Sequence, residues 1–202
     1  GMYYIKCFFL LFFPLTVAAQ QQMGDFMVVG PETKYLSGFN YWVYQSKTGY
    51  LWICTMNSVV RFDGKRYKNF FSDYSNPNST TDNVAVDVVE DKNGDLWIAG
   101  HSKGVARYNQ RTGVFKKYPV LSNDNNPIYG INRVVNDAEQ QLWFGTSGRG
   151  LARYNFQKDT FDFFYPEPAY PKDGTLRGFN HINDIVQDPA NVNLLWVAGF
   201  HG

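Results

Sequence analysis

Few residues of this chain have the type and spacing that catalysis needs. The three histidines, His101, His181 and His201, follow no metal-ligand spacing, although His101 and His201 hold nearly equivalent loop positions. Asp87 and Asp184 fall at the same place in two copies of a sequence repeat, where the other copies carry Arg133 and Trp42. Glycoside hydrolysis needs two carboxylates flanking one bond at about 5–10 Å. No third element supports such a mechanism here, and the two acids read as water-bonded structural groups. Cys54 lies in the apolar run Leu51-Trp52-Ile53-Cys54 with no His or Cys near it in sequence, so it reads as a core thiol. The chain is expected to be no enzyme and to carry neither cofactor nor metal.

Recognition by loops is the chemistry that remains. Three long polar segments, Ser72 to Asn83, Pro119 to Tyr129 and Pro166 to Asn180, are rich in Asn, Asp, Tyr, Arg and Pro. Long loops in a compact domain tend to be functional. A second set of short loops supplies Asn57, His101-Ser102-Lys103, Ser147-Gly148-Arg149 and Phe200-His201. The ligand-binding set drawn from these loops and their borders is His101, Lys103, Tyr129, Arg149, Arg177, Phe179, His181 and His201. Aromatic faces beside amide and guanidinium donors suit an oligosaccharide or another small ligand. The competing reading is that these are solvated turn residues. The sequon Asn78-Ser79-Thr80 reads as a polar loop.

Elements that hold such loops repeat along the chain. Leu51-Trp52-Ile53, Leu96-Trp97-Ile98, Leu142-Trp143-Phe144 and Leu195-Trp196-Val197 are separated by 45, 46 and 53 residues, near the blade period of propellers. Before each Trp lies a strand, at 39–45, 84–90, 130–136 and 181–187, and then a turn. In Asp91-Lys92-Asn93-Gly94-Asp95 the Asn-Gly pair supplies the positive φ angles of a tight hairpin. After each Trp of the first three copies comes a strand such as Val105-Ala106-Arg107-Tyr108, then an aromatic strand such as Phe115 to Tyr118. Four antiparallel strands per repeat, with no helical period between them, predict an all-β partial β-propeller of about three and a half blades, near 36–74, 83–120, 129–166 and 180–202. The four Trp residues are expected in the core. Arg61, Arg107 and Arg153 recur at one position and are expected to bond a neighbouring turn or blade.

The run Val88 to Gly100, with Gly104-Val105-Ala106-Arg107-Tyr108-Asn109 and Thr112-Gly113-Val114-Phe115, resembles the two-component regulator propeller repeat. The third copy matches through Leu142 to Thr146 and Gly150 to Asn155, and the first through Gly49 to Ile53 and Arg61 to Gly64. The likeness covers roughly residues 36 to 202. It implies the periplasmic sensor region of a hybrid histidine kinase of the kind common in gut Bacteroidetes, several of which detect oligosaccharides. It also implies further blades and kinase domains as partners in the same or a longer chain. The first copy departs from the pattern, with Ser58 standing where Gly104 and Gly150 stand. The Asp91 to Trp97 stretch also resembles the Asp-box turn of sialidase-like propellers, where that turn is structural.

Three arrangements fit a half ring: a truncated piece, a four-bladed ring closed by the N-terminal segment 20–35 through Phe26-Met27-Val28-Val29, or pairing with a second copy as a homodimer. Residues 1–19 read as a signal peptide. Lys6 stands in a short n-region, an apolar run follows from Cys7 to Val17, and Val17-Ala18-Ala19 marks cleavage before Gln20. Gly1 reads as a cloning scar. The expected location is periplasmic or secreted, with a stand-alone exported protein-interaction module as the alternative to a sensor. The 19 basic and 18 acidic residues give a net charge of +1, so bulk charge attracts neither nucleic acid nor anionic lipid.

Overall fold

The computed structural model describes residues 36, 38–118, 120–121, 127–128, 130–164 and 181–199. The leader, the segment 20–35 and its proposed closing strand lie outside the described residues. Every regular element described is a β-strand. The first sheet runs β1 (Asn40–Gln45), β2 (Leu51–Thr55), β3 (Val59–Phe62) and β4 (Tyr67–Phe70). The second runs β5 (Ala85–Glu90), β6 (Asp95–Gly100), β7 (Val105–Asn109) and β8 (Val114–Tyr118). A small pair follows, β9 (Val120–Leu121) with β10 (Pro127–Ile128). The third sheet holds β11 (Ile131–Asn136), β12 (Leu142–Thr146), β13 (Leu151–Asn155) and β14 (Thr160–Phe164). The fourth consists of β15 (Ile182–Gln187) and β16 (Leu195–Gly199).

Each four-stranded sheet is an antiparallel meander in chain order, so three blades and the inner half of a fourth are present. All four innermost strands shift register at the same place, at Asn40/Trp42, Ala85/Asp87, Ile131/Arg133 and Ile182/Asp184. A bulge bends a strand and increases its twist, and its recurrence fixes the side chains at Trp42, Asp87, Arg133 and Asp184 in one register around the blades.

In the second, third and fourth blades the turn after the innermost strand is built on one acid. Asp91 accepts hydrogen bonds on Oδ1 from the Asn93 and Asp95 N–H groups, and on Oδ2 from Trp97 Nε1–H at 2.8 Å. Asp137 receives Trp143 Nε1–H at 2.7 Å, and Asp188 receives Trp196 Nε1–H at 2.7 Å. The left-handed residue of this turn is Gly94 alone, at φ 82°; Asn93 is not left-handed, contrary to the tight-hairpin expectation, because the loop is longer and needs one such residue. Gly49 and Gln140 take that place in the first and third blades, at 88° and 61°.

The core lies between blades. Trp52 packs on Tyr108 of the next blade at 5.3 Å between ring centroids, and Trp97 on Tyr154 at 4.4 Å. Both indoles are fully buried, Trp143 is half-buried, and Trp196 is 60% exposed. Trp196 therefore departs from the core expectation, since no sheet covers the far side of β16 among the described residues. Of the recurrent arginines, Arg107 bonds the neighbouring turn as expected, at Asp95, while the contacts of Arg153 and Arg61 lie within their own blade. Arg107 Nε donates to Asp95 at 2.7 Å, Arg153 pairs with Asp162 at 3.4 Å, and Arg61 lies 4.4 Å over the Tyr50 ring. Cys54 is fully buried, and burial pushes its thiol well up, with Asp87 nearby adding to the shift, which suits an inert core role.

Candidate functional site

Two polar groupings stand out, one along the innermost strands and one at the rim where the short loops emerge. The bulges place Trp42, Asp87, Arg133 and Asp184 side by side. Arg133 Nη1 donates to Asp87 Oδ2 at 3.2 Å, and its Nε lies 3.0 Å from Asp184 Oδ1. That Nε–H is not aimed at the oxygen, so the second contact is an ion pair rather than a hydrogen bond. The guanidinium also sits 4.0 Å over the Trp42 ring. Asp87 is 2% exposed and takes Val88 N–H on Oδ1 at 2.7 Å and Val134 N–H on Oδ2 at 2.8 Å. Burial pushes its carboxyl up to about 6, against the pull of those donors and of Arg133. The grouping thus brings the innermost strands of all four blades together around one arginine. The water-bonded reading of Asp87 and Asp184 gives way to an ion-paired one, because Arg133 stands between them.

The rim is built by close approach. A Cβ on Gly130 would lie 2.5 Å from Ser147 Oγ and 3.0 Å from the His101 carbonyl oxygen, so only glycine lets the second and third blades' loops meet there. Ser147 in turn forms a β-bridge with His181 at the start of the fourth blade. Asn132, the bulged residue of β11, closes the set. It accepts Ser147 Oγ–H at 3.0 Å and donates through Nδ2 to Ile182 O at 2.8 Å and to His181 Nε2 at 3.1 Å. An amide nitrogen only donates, so His181 Nε2 accepts and its ring proton sits on Nδ1.

Of the expected ligand set, His101, Arg149 and His181 stand along this rim, on loops joined through Gly130 and Ser147. Arg149 is positioned by its N–H, which donates to Thr146 Oγ1 at 3.0 Å. Lys103 belongs to the same short loop as His101, yet its Nζ turns outward to the Tyr74 ring at 4.6 Å. That loop is held by Asp82, whose Oδ2 accepts both Ser102 N–H and Ser102 Oγ–H at 2.8 Å. Tyr129, Arg177, Phe179 and His201 lie outside the described residues. Asn132 and Asp82 were missed by sequence reasoning. Asn132 had one usable signal, its place next to the residue that recurs as Asp or Arg in each innermost strand.

The long loop from Ser72 to Asn83 behaves as a brace. Ser79, Thr80 and Asp82 are buried. Asn78 Oδ1 accepts Phe115 N–H at 2.6 Å, and Lys117 Nζ donates to the carbonyls of Asp73 and Asn76 at 3.0 and 3.1 Å. The segment thereby covers the outer strand β8 of the next blade. The sequon side chain is spent on that contact. No group of metal-ligating side chains occurs among the described residues.

No protein-family model matches the chain, and no curated protein matches it significantly. Solved structures do. One is described as the extracellular domain of a hybrid two component system from B. thetaiotaomicron, with TM-score 0.66 and 22% identity over 79% of this chain. Virginiamycin B lyase from Staphylococcus aureus, in an inactive form with quinupristin, gives 0.57 and 14% over 82%. PorZ, a surface component of the type-IX secretion system of Porphyromonas gingivalis, gives 0.54 and 16% over 79%. The chain spans 22%, 50% and 24% of those proteins respectively. The shared feature is the propeller fold.

Proposed function

We propose that this chain is a ligand-sensing propeller segment from the extracytoplasmic part of a two-component sensor, and that its loop rim takes an oligosaccharide. The observation that carries the reading is the joining of the His101, Arg149 and His181 loops at one rim by Gly130, Ser147 and Asn132. A fold shared with the extracellular domain of a hybrid two component system supports the sensor part. Imidazole, guanidinium and amide groups on a rigid frame match the hydroxyl pattern of a sugar. The same reading has the chain exported behind a cleaved leader and continued by further blades and signalling domains. It is non-enzymatic, since both Asp87 oxygens are occupied by N–H donors and Arg133 separates that acid from Asp184.

Thermal melts of the full chain against a panel of oligosaccharides test the proposal. At least one glycan class should raise the melting temperature, and Arg149→Ala or His101→Ala should weaken that effect about tenfold or more in apparent affinity. A panel without effect, or binding indifferent to both variants, would leave the sugar reading without support. A protein-interaction module is the second reading. It draws on the apolar lateral faces, with Phe39, Tyr41 and Val43 exposed on one side and Val186 and Trp196 on the other.

A further inference from the structure

Tyr74 is 87% exposed, yet the chain on either side of it is fixed. Asp73 N–H donates to Ser79 Oγ at 3.0 Å, and Asp73 Oδ1 accepts both the N–H and the hydroxyl of Ser75, at 2.8 and 2.7 Å. The loop that carries this tyrosine is packed against the loop of His101 and Lys103. His101 N–H donates to Val84 O at 2.9 Å, and a Cβ on Gly100 would come 2.9 Å from Asp82 Cβ. Lys103 Nζ stands 4.6 Å from the centroid of the Tyr74 ring. Among the described residues no carboxylate lies within ion-pair distance of it. The two acids of the Tyr74 loop, Asp73 and Asp82, are engaged by Ser75 and Ser102 instead.

We infer that Tyr74 and Lys103 form an anionic-sugar subsite of the rim, where an acidic pyranose stacks its C–H face on the Tyr74 ring and its carboxylate or sulfate takes Lys103 as counter-ion. The inference rests on the oligosaccharide reading above and adds to it the charge of one sugar unit. An aromatic ring held out by a fixed loop loses little freedom when a sugar covers it. A cation–ring contact at an exposed site is weak, so an acid group draws the ammonium, on its flexible stem, off the ring and leaves that face to the sugar. A neutral sugar offers the ring the same apolar face but gives the lysine no counter-ion. Contacts run in series from the Tyr74 loop through the His101 loop to Ser147 and His181. The subsite therefore lies at one end of the row, and the acidic unit is a terminal part of a longer bound chain.

Calorimetric titration of the full chain is the test, with tetragalacturonate and a chondroitin sulfate tetrasaccharide as acidic probes and galactotetraose as the neutral counterpart. At least one acidic probe should bind about tenfold or more tighter than the neutral one, and added salt should narrow the difference. Tyr74→Ala should weaken that binding about tenfold, whereas Tyr74→Phe, which keeps the ring, should leave it near the parent value. Lys103→Met should remove the preference for acid. Without ligand all three variants should melt with the parent chain, since both side chains are exposed. The two acidic probes separate a carboxylate from a sulfate as the group that Lys103 takes. Neutral and acidic probes bound alike, or acidic binding indifferent to Tyr74→Ala and Lys103→Met, overturns the inference and leaves the oligosaccharide reading in place. Binding of neutral glycans alone does the same, and a chain that binds no glycan at all loses both.

Discussion

Asp91 with Trp97, and Asp188 with Trp196, are the same motif in two settings. The indole N–H meets the carboxylate at 2.8 Å in the first pair and 2.7 Å in the second. Trp97 is fully buried beneath the third blade, whereas Trp196 is 60% exposed on the last sheet. One local geometry therefore sits in a dry interface and again in water. Local sequence makes the turn and aims the indole. The next blade decides what the bond is worth, since a buried donor left without a partner costs its full desolvation while an exposed one turns to solvent.

The sharpest way to break this comparison is Asp91→Ala. It strips the acceptor from Trp97 Nε1 and from the N–H groups of Asn93 and Asp95. The expected loss is about 3 kcal/mol, or roughly 6–12 °C in melting temperature for a chain of this size. Calorimetry measures it, and a loss under about 1 kcal/mol would mean that the blade interface is wet.

A comparable effect belongs to Asp87, in the innermost strand of the same blade. Burial holds its carboxyl at about 6 in the folded chain, against an ordinary value of 3.8. Between those values the folded chain keeps a proton that the unfolded chain has released, so stability falls as pH rises from about 4 to 6 and then levels off. The drop amounts to about 3 kcal/mol at most. Asp159 acts the other way and lower down. Hydrogen bonds from Lys116, Tyr154 and Tyr118 hold its carboxyl at about 2, so its contribution is lost as pH falls below about 4. Asp87→Asn keeps an acceptor toward Val134 N–H and removes the charge, and it should flatten the pH 4–6 slope of denaturant midpoints. A slope unchanged in the variant would place the titration elsewhere.

The first blade offers a way to sharpen the comparison in the opposite direction. Ser46 stands where the other blades have Asp, and its hydroxyl is engaged with Thr48 and the Tyr50 carbonyl. Trp52 Nε1 is buried without a hydrogen-bond partner. Ser46→Asp supplies the missing acceptor at the same six-residue spacing and should stabilise the chain by about 1 kcal/mol, with Ser46→Ala giving no gain. The increment stays modest because Glu90, bound to Lys47 N–H at 2.7 Å, is a nearby like charge. A chemical-denaturation midpoint no higher than that of the parent chain would show that Trp52 N–H finds a partner in solution.

The repeat made the strands legible to within a residue or two, because alternating apolar residues and turn acids are local signals. Placement around the Leu-Trp strands also brought the His101, Arg149 and His181 loops to one rim. What stayed hidden depends on contacts between copies. Nothing adjacent in sequence ties Arg133 to both Asp87 and Asp184, or Asn78 to Phe115, since each pairing crosses from one blade to another. Which of the two expected neighbours, turn or blade, the recurrent arginines take was hidden for the opposite reason. Their partners Asp95, Asp162 and Tyr50 lie in the same blade, and a one-letter pattern does not tell a neighbour within the blade from one across to the next.

Asp188→Ala completes the set as the smallest expected effect. Its carboxylate is held below the ordinary range by Trp196 Nε1–H and by the Ala190 and Asn191 N–H groups, yet water can replace each of those donors at an exposed turn. The variant should melt with the parent chain, while Asp91→Ala at the equivalent position does not.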